Sequence, residues 1–267
     1  MVGVTAHPLV VAHRGASETA PEHTLAAYRE AIEGGADGVE ADVRLTADGH
    51  LVCVHDRRIE RTSNGSGVLS TLPLSELEQM DFGSWKDGWD DDDEPDLDDP
   101  DRRQVLTFER LLRLVRDADR RIELFVETKH PTRYGGLVER RLVESLRRYD
   151  LLRPSNGQPS QVSLMSFSEV ALRRMRRMAS DLPLVYLMER VPVIYRAGAL
   201  PRGVSVAGPS IDVVRKYPQY VRRVHEGGGR VFVWTVDDPS DVELAHEAGV
   251  DAVITNRPHA VLRQLGR

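Results

Sequence analysis

The sequence predicts an α/β protein in which a mostly parallel sheet is covered by helices, either closed as a (β/α)8 barrel or open as a doubly wound sheet. Short apolar, β-branched runs recur along the chain, with helical patterns between many of them. The length, 267 residues, suits one large domain. No Gly-x-Gly-x-x-Gly turn follows the first apolar run, so the dinucleotide-binding form of the open sheet loses support.

The strands expected are Leu9–His13, Gly38–Arg44, Leu51–His55, Ile122–Glu127, Val162–Ser166, Leu184–Met188, Val204–Ala207, Val231–Val236 and Ala252–Thr255. The helices expected between them are Thr24–Glu33, Gly136–Tyr149, Ser168–Met178, Val213–Glu226, Pro239–Glu247 and His259–Gln264. One connection breaks the alternation. Only Thr46 to His50 separates the second strand from the third, too short for a crossover helix, and Asp48-Gly49 is a hairpin signal. These two strands should therefore be antiparallel, with His55 folded back roughly opposite Glu40. From Asp56 to Gln104 strand content is weak, with turns at Asn64-Gly65 and Asp87-Gly88 and a short helix at Leu74–Gln79. That segment reads as an insertion over one mouth of a barrel, in a single catalytic domain spanning residues 1–267.

Composition excludes several classes. Apolar residues make up 40% and charged residues 29%, which fits a soluble globular domain. No run is long and apolar enough to span a membrane, and no secretory signal opens the chain, so a cytoplasmic protein is expected. Cys53 is the sole cysteine, which excludes an internal disulfide framework or a cysteine zinc cluster. The net charge of −6 comes from one place: Asp90–Asp101 holds nine acidic residues in twelve, and outside it the balance is +3. This run reads as a solvated, mobile loop, since its spacing does not match an EF-hand calcium loop. The Arg173-Arg174 and Arg176-Arg177 cluster lacks interleaved aromatics, so it reads as a solvated helix face and no nucleic-acid partner is expected.

Chemistry-bearing residues collect at strand ends. The first strand ends in His13, Arg14 and Gly15: a group that titrates near neutrality, a planar cation matched to phosphate oxygens, and a residue that permits close approach. Glu40 and Asp42 share one face of the second strand, while Val39, Ala41 and Val43 face the helices. Two acids buried together want a cation, and hard oxygens suit Mg2+ or Ca2+. The third strand ends in His55. The fourth ends in Glu127 and Lys129, the latter one of only three lysines in a chain that otherwise uses arginine. In a barrel all these ends form one catalytic face, and together they are the parts of metal-assisted phosphoryl chemistry.

The arrangement strongly resembles the glycerophosphodiester phosphodiesterases. The likeness rests on His13-Arg14-Gly15, Pro21-Glu22-x-Thr24, Glu40-x-Asp42, His55-Asp56 and Arg61-Thr62-x-Asn64-Gly65. It continues through Glu127-Thr128-Lys129, Ser166-Phe167, Val233-Trp234-Thr235 and the closing Asp251–Asn256. The resemblance implies a (β/α)8 barrel with this hairpin and insertion, and metal-dependent hydrolysis of a small-molecule glycerophosphodiester to sn-glycerol 3-phosphate and an alcohol. It implies that Glu40, Asp42 and Glu127 hold the metal, and that His13 and His55 form the acid/base pair. Arg14 and Lys129 would bind phosphate, Trp234 and Phe167 would wall the glycerol, and Glu22 would support the site by hydrogen bonds. Position 23 is His where the family usually has Asn, and an imidazole nitrogen can replace an amide in a turn or helix-entry hydrogen bond. Two rival readings are a lysophospholipase D acting on lipid with the same residues, and a non-catalytic phosphate-binding barrel. The second would lack a catalytic His or a metal acid, and this chain retains all of them.

Overall fold

The computed structural model describes residues 7–86, 99–153 and 157–267. Nine strands form one sheet: β1 (Leu9–His13), β2 (Gly38–Leu45), β3 (Leu51–Cys53), β4 (Glu123–Thr128), β5 (Val162–Ser166), β6 (Leu184–Met188), β7 (Val206–Pro209), β8 (Arg230–Val233) and β9 (Ala252–Thr255). In space they run β1-β9-β8-β7-β6-β5-β4-β2, and β1 pairs again with β2. Eight parallel strands thus close a (β/α)8 barrel, which decides between the two expected architectures. The ninth, β3, is antiparallel to β2, with Val43 opposite Cys53 and Leu45 opposite Leu51. Continued upward, that register sets His55 beside Ala41, one residue from the expected Glu40.

Side-chain alternation places the core. Val39, Ala41 and Val43 of β2 pack outward in a cluster that includes Tyr28 and Leu142 of the covering helices. Inside the barrel Val11, Phe125, Met165, Val185, Phe232 and Ile254 make a separate apolar plug, with the Phe125 and Phe232 rings 5.0 Å apart. Each such fully buried side chain contributes about 1.5–3 kcal/mol. The plug closes the barrel beneath its C-terminal mouth, so polar side chains above it share one rigid floor.

Local signals set the helices. Thr24 caps Leu25–Glu33 by accepting from the Ala27 amide, and Ser168 caps Glu169–Met178 by accepting from the Ala171 amide. The expected helices leave out Phe108–Arg116, whose Phe108, Leu111, Leu112 and Val115 form a buried stripe at helical spacing. The single helix expected over Val213–Glu226 is two, Ile211–Lys216 and Gln219–Glu226. Pro218 explains the break: it has no N–H to donate and drives Tyr217 out of the helical region, to φ −139° and ψ 65°.

Segment 56–104 has its own small core, in which Ile59, Leu69, Leu77 and Phe82 are buried with Val52 and Val54 of the barrel side. Arg61 pairs with Glu22 at 2.7 Å, and Lys86 Nζ donates to the Ser17 carbonyl at 2.7 Å. These bonds tie the segment to the loop after β1. Most of the acidic run, residues 90–98, lies outside the described residues. Its last part departs from the solvated loop expected. Asp99 caps the short helix Pro100–Arg103, and Asp101 pairs with Arg29 at 2.8 Å and Arg110 at 2.6 Å. Arginines on two neighbouring helices draw that end of the run onto the barrel. Among the described residues no helix is long and apolar enough to cross a membrane.

Candidate active site

The mouth holds a cavity of about 240 Å3 lined by His13, Arg14, Glu40, His55, Glu127 and Lys129, with Met165, Phe167, Leu187 and Trp234 on its apolar side. The structure therefore brings together nearly every strand-end residue singled out in the sequence. Asp42 and Glu22 do not line the cavity. Asp42 lies just behind it, and Glu22 is linked to it through Arg14 and through Arg61, Asp56 and His55.

The carboxylates come from adjacent strands. Glu40 and Asp42 point inward from β2, and Glu127 stands beside Asp42 in the β2–β4 register. All three are buried, and one oxygen from each lies within 4.8 Å of the others. Glu40 has its carboxyl pushed well above the usual range, by burial first and then by Asp42. Glu127 is pushed up to about 8, again by burial and then by Asp42. Asp42 is the exception. Burial works against its charge, but Lys129, His23 and Arg14 outweigh it and hold this carboxyl well below its ordinary value. Lys129 Nζ lies 2.9 Å from Glu127 and 3.3 Å from Asp42, and Arg14 Nε lies 3.2 Å from Asp42. Without a cation, burial and mutual repulsion favour the protonated form at Glu40 and Glu127, while the neighbouring cations favour the ionised form at Asp42. Three hard oxygen donors in that frustrated state are what a divalent ion relieves.

Each imidazole is held by one nitrogen. His13 Nδ1 lies 2.7 Å from the Asn256 side-chain oxygen, which makes it the protonated nitrogen and leaves Nε2 with a lone pair. Asn256 is fixed in turn by Asp237, which accepts from its amide nitrogen at 2.7 Å and its backbone N–H at 2.8 Å. His55 Nδ1 lies 2.7 Å from Asp56, and Asp56 also accepts from Arg61. Neither Nε2 has a partner among the described residues. Burial, reinforced by Arg14, lowers His13 to about 3. Burial also lowers His55, with Asp42 and Asp56 opposing and Arg14 and Lys129 assisting.

The turn after β1 is shaped for this site. Arg14 adopts φ 59° and His23 φ 61°, a left-handed backbone that non-glycine residues seldom take and that clusters at functional sites. Its reward at Arg14 is an N–H aimed at Glu40 Oε2, 3.1 Å away, with the guanidinium held by Glu22 at 2.9 Å. His23 does not make the turn or helix-entry side-chain bond expected of it. Its ring is buried, with Nε2 3.0 Å from Asp42 and Nδ1 2.7 Å from the Tyr28 hydroxyl. The imidazole is long enough to span from the turn to the carboxylate behind the site.

On the far arc Trp234 donates its indole N–H to the Gly208 carbonyl at 2.8 Å, and Phe167 meets it edge-on at 5.5 Å between centroids. Glu189, after β6, also lines the cavity. The sequence reading assigned no role to Glu189, Asp237 or Asn256. A signal existed for Asn256, a polar residue closing β9 as His13 closes the neighbouring β1. Glu189 follows an apolar strand like many surface acids and carries no such mark.

A closed barrel whose mouth gathers two imidazoles, three acids and two cations belongs to the barrel enzymes that act on anionic substrates. The glycerophosphoryl diester phosphodiesterase family model matches residues 13–260. The chain belongs to that family, whose activity is the hydrolysis of glycerophosphodiesters. It is 46% identical over 252 residues to a Mycobacterium tuberculosis protein named probable glycerophosphodiester phosphodiesterase 1, covering 94% of this chain and 90% of the other. It is 32% identical to a Bacillus subtilis glycerophosphodiester phosphodiesterase, over 94% and 84% of the two chains. Among solved structures, an Oleispira antarctica phosphodiesterase in complex with the product sn-glycerol-3-phosphate superposes with a TM-score of 0.84 at 25% identity, covering 98% of each chain.

Proposed function

We propose that this protein is a divalent-cation-dependent enzyme, one catalytic domain with an insertion at 56–104, that cleaves soluble glycerophosphodiesters to sn-glycerol 3-phosphate and an alcohol. The observation that carries the reading is the pair of imidazoles lining one small cavity, each anchored through Nδ1 and with Nε2 unpartnered among the described residues. Glu40, Asp42 and Glu127 would hold Mg2+ or Ca2+, which when bound draws charge from the phosphoryl oxygens as they become more negative. Arg14 and Lys129 bind and orient the same oxygens.

The partners of the two rings divide their roles. His13 rests on a neutral amide and stays unprotonated, so its Nε2 takes the proton from the attacking oxygen. His55 rests on the Asp56 carboxylate, which favours an imidazolium against the burial that lowers this ring, so in that form its Nε2–H gives a proton to the leaving alkoxide as the P–O bond breaks. The attacker is the substrate's own 2-hydroxyl, giving a cyclic phosphate that water opens, or water itself. Trapping of the cyclic ester distinguishes the two. Trp234, Phe167, Met165 and Leu187 shield the glycerol carbons.

One feature favours lysophospholipid as a second substrate. Val193 and Ile194 are 73% and 72% exposed on the loop after β6, and Tyr195 beside them bonds Glu169 on the helix following Phe167. This apolar loop follows Glu189, which lines the cavity. Comparing glycerophosphocholine with lysophosphatidylcholine tests the assignment: release of glycerol phosphate from the soluble diester is expected to be more efficient in kcat/KM by about tenfold or more. A preference for the lipid would transfer the function to lysophospholipase D, and turnover of neither would reject both.

A further inference from the structure

A second cavity, of about 350 Å3, adjoins the first, and Lys129 lines both. Its walls come from the end of β2, the Val68–Thr71 turn of the inserted segment, and the Pro131–Tyr134 loop after β4. Among the described residues the charged ones lining it are Arg44, Arg57, Lys129 and Arg133, with no carboxylate. In a chain of net charge −6, where most of the charged side chains around the mouth are paired, this is an unbalanced positive site.

Two of the four cations are committed. Lys129 faces Asp42 and Glu127, and Arg44 donates to the His55 carbonyl through Nε at 2.9 Å and Nη2 at 2.7 Å. Arg44 therefore joins the new cavity to the strand end that carries His55. The other two are not. Among the described residues Arg57 has no ion pair, and Arg133 only stacks on Tyr134, at 5.6 Å. Both residues are exposed, and among the described residues no carboxylate pairs with either guanidinium.

The barrel order says which part of a substrate would reach them. Trp234 follows β8, which stands across the barrel from β4, and β2 and β4 are neighbours. With glycerol against Trp234 and the phosphate at Arg14 and Lys129, the other ester arm is directed toward the β2–β4 sector. We infer that this second cavity receives the leaving alcohol and selects one bearing a further phosphate, which Arg57 and Arg133 grip. The planar forks of these residues match phosphate oxygens, and charge-assisted bonds are the stronger kind. The inserted segment, which supplies Arg57 and one wall, thereby becomes part of substrate selection. The inference rests on the proposed diesterase reading and specifies its substrate class.

The test compares two diesters with the same leaving atom. One is glycerophosphoglycerol. The other is 1,3-bis(glycerophospho)glycerol, whose leaving alcohol carries one more phosphate. Their Kd values are measured by calorimetry on His55→Ala protein in the presence of divalent cation, counted per scissile bond, with turnover slowed by the substitution and the recovered ligand checked for hydrolysis. The bis-phosphorylated compound is expected to bind about tenfold or more tightly. In the His55→Ala, Arg57→Gln, Arg133→Gln protein the two Kd values should converge. Equal affinities without the arginine substitutions, or a preference that survives them, would overturn the inference. Hydrolysis of glycerophosphoglycerol by the unsubstituted enzyme separately tests the reading beneath it.

Discussion

His13→Ala and His55→Ala are each expected to lower kcat by about a hundred- to ten-thousand-fold, with much smaller changes in KM. The split follows from geometry. With the phosphate assigned to Arg14 and Lys129, which line the same cavity as the two rings, removing an imidazole should leave binding in place and take away only proton transfer. The double variant should lose less than the product of the two single losses, because the rings serve one transition state. Leaving-group chemistry separates them further. A nitrophenyl diester needs no protonation of its departing oxygen, so it should restore much of the rate in His55→Ala and little in His13→Ala. Retention of most of kcat by either variant would remove that residue from the reaction, and rescue of the wrong variant would exchange the two roles.

The cation site should respond to isosteric substitution in a way that distinguishes its members. Glu40 keeps its proton in the cation-free protein, because burial and Asp42 push its carboxyl far up. Glutamine copies that neutral form. Glu40→Gln should thus weaken Mg2+ or Ca2+ binding severely while changing the stability of the cation-free protein by less than about 1 kcal/mol, within the range of an ordinary hydrogen-bond change. Asp42 is ionised among Lys129, Arg14 and His23, so Asp42→Asn should lose both cation binding and about 3–5 kcal/mol of stability, as expected when one partner leaves a buried ionic cluster. In the unsubstituted protein affinity should tighten as pH rises toward about 8, where Glu127 gives up its proton. Below that pH the cation must displace a proton, so affinity falls as pH falls. Calorimetry in buffers of different ionisation heat measures the proton released. Affinity independent of pH across this range would contradict the three-acid site.

How far the sequence revealed this molecule depends on the range over which each feature is encoded. Strand ends are local: apolar runs stopping at His13, His55 and Lys129 mark the functional face before any fold is known. The hairpin is also local, since five residues cannot hold a crossover helix. Its register came out one residue away, because a turn's backbone path shifts pairing without changing the pattern of side chains. The division at Tyr217-Pro218 was encoded in the proline, but the apolar period continues across it and conceals the break. Phe108–Arg116 lies directly after a segment with little regular structure, and its stripe is evident only once the barrel supplies the surface it covers.

The least legible features are long-range partners. Asn256 meets His13 across 243 residues, because closure of the barrel sets β9 beside β1. The ring-holding chain Asp237–Asn256–His13 is therefore a consequence of topology. The burial of His23 against Asp42 and Tyr28 likewise needs the left-handed turn that carries it. Charge balance is of the same kind. That Arg57 and Arg133 have no ion pair among the described residues is visible only when the acids around them have been placed.

The central claim is that one cation held by Glu40, Asp42 and Glu127 brings a glycerophosphodiester between His13 and His55. The most direct measurement is the release of sn-glycerol 3-phosphate from glycerophosphocholine by protein stripped with chelator, before and after Mg2+ or Ca2+ is restored. The account predicts no turnover in the stripped protein and recovery on adding the cation, with Glu40→Gln failing to recover at the same cation concentration. Full turnover by the stripped protein, or equal recovery by Glu40→Gln, would contradict it.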